Sequence, residues 1–101
     1  MMVEQGGIYL ADLNPTKGHE QKGIRPVVVI SGNAFHVSEM CFICPLTTSL
    51  KHFFGDIILS PDSKNGLSET SEILTGQIRT IDVKRMSKKL GMISESELQN
   101  I

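Results

Sequence analysis

Apolar and polar positions change rhythm several times along the chain, and most of the changes fall at turn-forming residues. GGIYLADL (6–13) alternates well enough to predict a first strand, and Asn14-Pro15-Thr16 ends it with turn chemistry. IRPVVVIS (24–31) is apolar on consecutive positions, which predicts a central strand buried on both faces; Pro26, lacking an N–H, fits near its start or at an edge. GNAFH (32–36) predicts a turn or a single helical turn, and EMCFICPLT (39–47) and FGDIILS (54–60) predict a third and a fourth strand. In SEILTGQIRTID (71–82), Ile73, Thr75, Gln77, Arg79 and Ile81 share one parity and Leu74, Gly76, Ile78 and Thr80 the other, the pattern of a long strand bent at Gly76. Near the C-terminus, Ser94 and Glu97 form a capping box that opens a short helix.

Five short strands with turns between them and little helix predict a mostly-β fold: a small, strongly bent, SH3-like β-barrel with short helices and a C-terminal helix. The 101 residues accommodate one domain, 1–101, without linker or internal repeat. With 40% apolar and 21% charged residues and no low-complexity tract, the composition is that of a globular chain rather than a disordered one. Runs such as PVVVI are far shorter than the roughly 20 apolar residues a spanning helix needs. The N-terminus has no basic region followed by an apolar segment, so a cytoplasmic protein is expected.

A net charge of −1 argues against a nucleic-acid binder until its distribution is considered. Arg79, Lys84, Arg85, Lys88 and Lys89 crowd the segment 79–91 against Asp82 alone, leaving room for a local basic face, although such runs are more often solvated surface. Cys41 and Cys44 have the CxxC spacing of half a zinc site. In a strand, however, positions three apart face opposite ways, so both are expected to be structural. There is no phosphate-binding GxxxxGK[ST], no HExxH and no cluster at metal spacing, so neither cofactor nor metal is expected. Polar residues gather instead at strand ends: His19 to Arg25 before the second strand, PLTTS (45–49) after the third, and Gln77 with Arg79. Loops at one end of a rigid barrel are where a site is assembled.

GGIYLADLNPTKGHEQKGIRPVVVIS, CPLTTS and GQIRTID, in this order and spacing, resemble the MazF/PemK/Kid family of toxins from bacterial toxin–antitoxin pairs, and the resemblance runs from Gly7 to about Leu98. It implies a sequence-specific, metal-independent endoribonuclease that cleaves single-stranded mRNA through attack by the 2′-hydroxyl and so inhibits translation. It further implies a homodimer, neutralised by a cognate MazE-like antitoxin whose acidic tail blocks the RNA groove. Arg25 and Thr48 match the family's catalytic arginine and threonine, and His19 matches the histidine of the GHEQ loop, which contributes to catalysis or RNA binding. Beyond them, RNA contacts are expected from Glu20, Gln21 and Lys22, from Ser49, Lys51 and His52, and from Gln77.

The chemistry of these residues suits the roles. A guanidinium presents a planar, permanently charged fork to phosphoryl oxygens, a threonine hydroxyl can orient the 2′-hydroxyl or donate to the phosphate, and imidazole titrates nearest neutral pH. Lys51 can meet a phosphate, and His52, Phe53 and Phe54 can stack on bases, although core packing is the ordinary fate of a phenylalanine. Taken alone, Arg25 would read as a surface residue and Thr48 as a turn residue; the resemblance raises both. Two features depart from the family pattern. Where some members carry an acid before the Gln of QIRTID, this chain has Gly76, and its final helix is shorter. An alternative reading is therefore a non-catalytic toxin or binding module on the same barrel, of the CcdB type that poisons DNA gyrase, or a degenerate family member.

Overall fold

A computed structural model describes residues 2–101, and of residues 35–37 the backbone alone. Its strands are β1 (Gly7–Asp12), β2 (Ile24–Val29), β3 (Met40–Thr47), β4 (Ile57–Leu59), β5 (Ser71–Ile73), β6 (Arg79–Asp82) and β7 (Met86–Met92), followed by the helix α1 (Glu95–Gln99). Short 3-10 turns occupy Asn33–Ser38, Thr75–Gln77 and Val83–Arg85. All pairings are antiparallel, in the order β4-β5-β3-β2-β1-β7, with β6 also on β3.

The eight-residue β3 is the spine of the curl. Its first half, Met40 to Ile43, pairs with β6, while Leu46 and Thr47 pair with β5. Two short strands thus share one edge of β3, and the sheet folds around it. Both faces are buried there: Val27, Val29, Cys41, Ile43 and Ile81 belong to one core cluster, and Val28, Cys44, Leu46, Leu59 and Ile73 to the other. This double burial is why PVVVI is apolar without alternation. Pro26 is accommodated because β2 pairs with β3 only from Val27 onward, so at Pro26 the only partner strand is β1. Cys41 and Cys44 lie in different clusters, as the strand parity requires. Burial, aided by Asp82 for Cys41 and by Asp56 for Cys44, raises both thiols to about 11, so they are protonated and inert at neutral pH.

Two elements differ from the sequence expectation. The long fifth strand is broken: β5 ends at Ile73, Thr75–Gln77 forms a 3-10 turn, and β6 begins at Arg79. At the break Asp56 Oδ1 accepts from both the Thr75 N–H and the Thr75 hydroxyl, each at 2.9 Å, and Gln77 N–H donates to Leu74 O at 3.1 Å, closing the turn. The other is β7, a strand the hydrophobic pattern hides. Its middle, Ser87-Lys88-Lys89, is exposed on consecutive residues, and its register against β1 shifts twice, so no alternation survives. The fourth strand is also shorter than expected, leaving Phe54 outside it, and Phe53 and Phe54 are both exposed, where core packing was expected for at least one of them. The C-terminal helix has the expected capping box: Glu97 N–H donates to Ser94 Oγ, and Ser94 N–H to Glu97 Oε1.

Candidate active site

The 13–23 loop is held at its base before it reaches any site residue. Leu13 N–H donates to Gly23 O, and Gly23 N–H to Asn14 Oδ1. Arg79 Nη1 donates to Leu13 O, and Arg85 Nη1 to the carbonyls of Asp12 and Asn14. Part of the basic run is therefore structural, and Lys89 is further engaged by Glu4 at 3.2 Å. Farther out, Glu20 Oε1 accepts from Lys17 N–H, so this carboxylate shapes its own loop. Gln77 spans the gap from the 3-10 turn: its Oε1 accepts from Gln21 N–H at 2.8 Å and its Nε2 donates to His19 O at 3.4 Å.

Arg25 leaves β2 beside the left-handed Gly23, whose φ of +79° suits a residue without Cβ. Arg25 Nε donates to Lys22 O at 2.7 Å, which orients the guanidinium and leaves its two terminal nitrogens for another partner. Across from it, β3 ends at the buried Thr47, whose Oγ1 accepts from Ser49 N–H and turns the chain so that Thr48 is exposed. Arg25 and Thr48 line one open hollow of about 340 Å³, together with Lys22 and Ser71. The two residues thus meet although 23 positions separate them in sequence, because β2 and β3 are adjacent strands.

His19 lines a second hollow of about 280 Å³ with Gln21, Lys51, Phe53, Leu74 and Gln77, and is not among the residues lining the first. Gln21 Oε1 is buried without a hydrogen-bond partner. A third, smaller hollow of about 150 Å³ runs under the loop past Glu20, Gln21, Gly76, Gln77 and Arg79. Ser49 and His52 are exposed, and His52 has a positive φ of 55°. Sequence reasoning missed Glu72 and Asp56. Glu72 is wholly buried on β5, and its carboxylate accepts from the N–H groups of Lys51 (2.6 Å), His52 (2.8 Å) and Phe53 (3.3 Å). Burial alone would raise its pKa; the hydrogen bond shared with Asp56 and those three N–H groups outweigh it and lower the carboxyl to about 2. Asp56 is raised, by burial first and then by Glu72. For Glu72 the only signal was its place directly before Ile73 and Leu74 in a predicted strand, where a buried acid has to be paired.

A bent β-barrel with a guanidinium and a threonine hydroxyl converging on one open hollow, and amide and cationic groups on the next, is a site suited to a polyanion with readable edges. Residues 4–101 match the family described as PemK-like, MazF-like toxin of type II toxin-antitoxin system. The chain is 39% identical to the endoribonuclease MazF of Staphylococcus epidermidis, over 96% of its own length and 82% of that protein's. A crystal structure of MazF from Deinococcus radiodurans superposes with a TM-score of 0.85 at 25% identity, covering 99% of this chain and 89% of that one. A MazE–MazF complex from the same organism gives 0.77 at 26% identity, covering 99% and 88%. The chain belongs to the PemK/MazF toxin family.

Proposed function

We propose that this protein is a sequence-specific, metal-independent endoribonuclease toxin that cleaves single-stranded mRNA, and that the Arg25–Thr48 hollow is its cleavage site. The observation that carries the reading is the convergence of Arg25, Thr48 and Lys22 on one open concavity. There the 2′-oxygen of the RNA bonds to phosphorus as the bond from phosphorus to the 5′-oxygen breaks, leaving a 2′,3′-cyclic phosphate and a 5′-hydroxyl. One proton leaves the 2′-hydroxyl and one reaches the departing 5′-oxygen. Arg25 stabilises charge on the phosphoryl oxygens through its free terminal N–H groups, and Thr48 orients the 2′-hydroxyl or donates to the phosphate. With no acid at position 76, the side chain best suited to proton transfer is His19. It lines the second hollow and not the first, so this role requires the scissile phosphate to lie between the two.

In the second hollow Phe53 offers a stacking face and Lys51 a phosphate contact, with Gln77 beside them. The protein acts as a cytoplasmic homodimer and is neutralised by a cognate MazE-like antitoxin, a partner suggested by the MazE–MazF complexes among its structural relatives. No described helix is long and apolar enough to cross a membrane.

The test is incubation with a long single-stranded RNA in EDTA, with both fragment ends mapped. Cuts at one short recurring motif, with cyclic-phosphate and 5′-hydroxyl ends and absent in Arg25→Ala, are expected. A folded dimer that leaves the RNA intact would shift the reading to a binding-only toxin.

A further inference from the structure

Resting on that reading, we propose that Glu72 is a positioning residue for substrate selection: from inside the barrel its carboxylate sets the backbone of residues 51–53, and with it where Lys51 and Phe53 stand at the second hollow. The segment between β3 and β4 has no strand or helix of its own to hold it, and three consecutive N–H groups turn inward instead of outward. All three end on one wholly buried carboxylate, the arrangement of a backbone nest around an anion, except that the anion is a side chain of the protein itself. The left-handed His52 lies at the middle of that nest. Farther along, Asp56 N–H donates to Phe53 O at 3.0 Å, closing the loop onto the second carboxyl of the pair.

The position of Glu72 gives this anchor its consequence. Its strand neighbour Ser71 lines the Arg25–Thr48 hollow, Leu74 lines the hollow that holds Lys51 and Phe53, and Glu72 itself pairs with Thr47, the residue before Thr48. The strand β5 and Leu74, the residue that follows it, therefore tie the geometry of the cleavage hollow to that of the recognition loop. The carboxylate touches neither hollow, so it acts through the backbone it holds. Asp56 supports it from the other side: its Oδ1 is taken by Thr75, while its buried Oδ2 receives no donor.

The experiment compares wild type, Glu72→Gln, Asp56→Asn and Phe53→Ala on one RNA carrying the mapped motif and on its single-base variants. For Glu72→Gln we expect KM to rise about tenfold with kcat within about threefold of wild type, and discrimination between motif and variants to collapse. Phe53→Ala, which leaves the core intact, should relax the same discrimination. Asp56→Asn should keep the wild-type motif, because its amide can still donate toward Glu72 and accept from Thr75. An unchanged motif and KM in folded Glu72→Gln, or in Phe53→Ala should Glu72→Gln not fold, would overturn the proposal. So would a loss confined to kcat. Wild-type RNA left uncut would instead count against the cleavage reading. Amide exchange at Lys51 and His52 then decides the anchoring alone: protection lost in Glu72→Gln upholds it, and protection retained refutes it.

Discussion

Gln77 holds Gln21 across 56 positions of sequence: its side-chain oxygen accepts the Gln21 N–H at 2.8 Å, and its side-chain nitrogen reaches His19 O. The loop carrying His19, Gln21 and Lys22 is thereby attached to the 3-10 turn that interrupts the sheet. Replacing Gln77 by Ala removes both bonds and should cost about 1 kcal/mol of stability. Because Gln77 also lines the second hollow, KM for RNA should rise several-fold while kcat changes less. Urea unfolding and steady-state cleavage measure the two effects, and a variant with unchanged KM would mean that the loop finds its place without Gln77.

Arg25 is a second case of position achieved through backbone. Its Nε is committed to Lys22 O, so the fork that faces the hollow is oriented before any substrate arrives. In Arg25→Lys a single flexible ammonium must choose between that carbonyl and the phosphate. Cleavage should fall by about 10²–10³-fold, the scale for losing one preorganised donor to a developing oxyanion. Thermal unfolding should barely move, since the side chain is only partly buried. Activity near wild type would show that charge alone suffices.

Most of the sheet was legible in the sequence because burial imposes period two or an unbroken apolar run, and β1, β2 and β3 carry one or the other. β7 was not, because its register slips and its exposed middle, Ser87 to Lys89, leave only Met86 and the half-buried Leu90 against the core, with no regular alternation between them. The 71–82 segment misled for a different reason. Its parity is that of a strand on both sides of Gly76, and the bonds found at the break, from Thr75 to the sequence-remote Asp56 and from Gln77 N–H to Leu74 O, leave no trace in it. At the site, Arg25 and Thr48 were legible through their motif, and the structure brings both to one hollow. That His19 lines a different hollow, with Lys51 and Phe53, follows from three-dimensional loop closure that no local pattern encodes.

Gly76 invites a gain-of-function test. A Cβ built there meets no atom within 4 Å, and its φ lies outside the left-handed region, so a larger side chain enters open space. Gly76→Asp should fold with stability within about 0.5 kcal/mol of wild type. It restores the acid that the family resemblance associates with this position. If proton abstraction limits the reaction, kcat should increase and its pH profile should gain a limb in the carboxylate range. An unchanged rate and profile would show that the base is already supplied from elsewhere.

The carboxyl pair under the 51–53 loop makes stability depend on pH in two opposing ways. Glu72 is held at about 2, below its ordinary 4.5, so it contributes stability above about 4.5 that is lost as pH falls toward 2. Asp56 is raised above its ordinary 3.8, so its contribution is complete below that value and is lost as pH rises through the raised one. At that point a second negative charge forms beside Glu72. Cys44, held neutral, offers no compensation, and no Lys or Arg side chain is bonded to either carboxylate among the described residues. Asp56→Asn abolishes only the loss that accompanies Asp56 ionisation. Urea midpoints measured from pH 3 to pH 8 should therefore show the variant gaining on wild type as pH rises, with both falling together at the acid end where Glu72 is protonated. Parallel curves across the whole range would mean that Asp56 ionises without penalty, and that the two carboxyls do not share a proton.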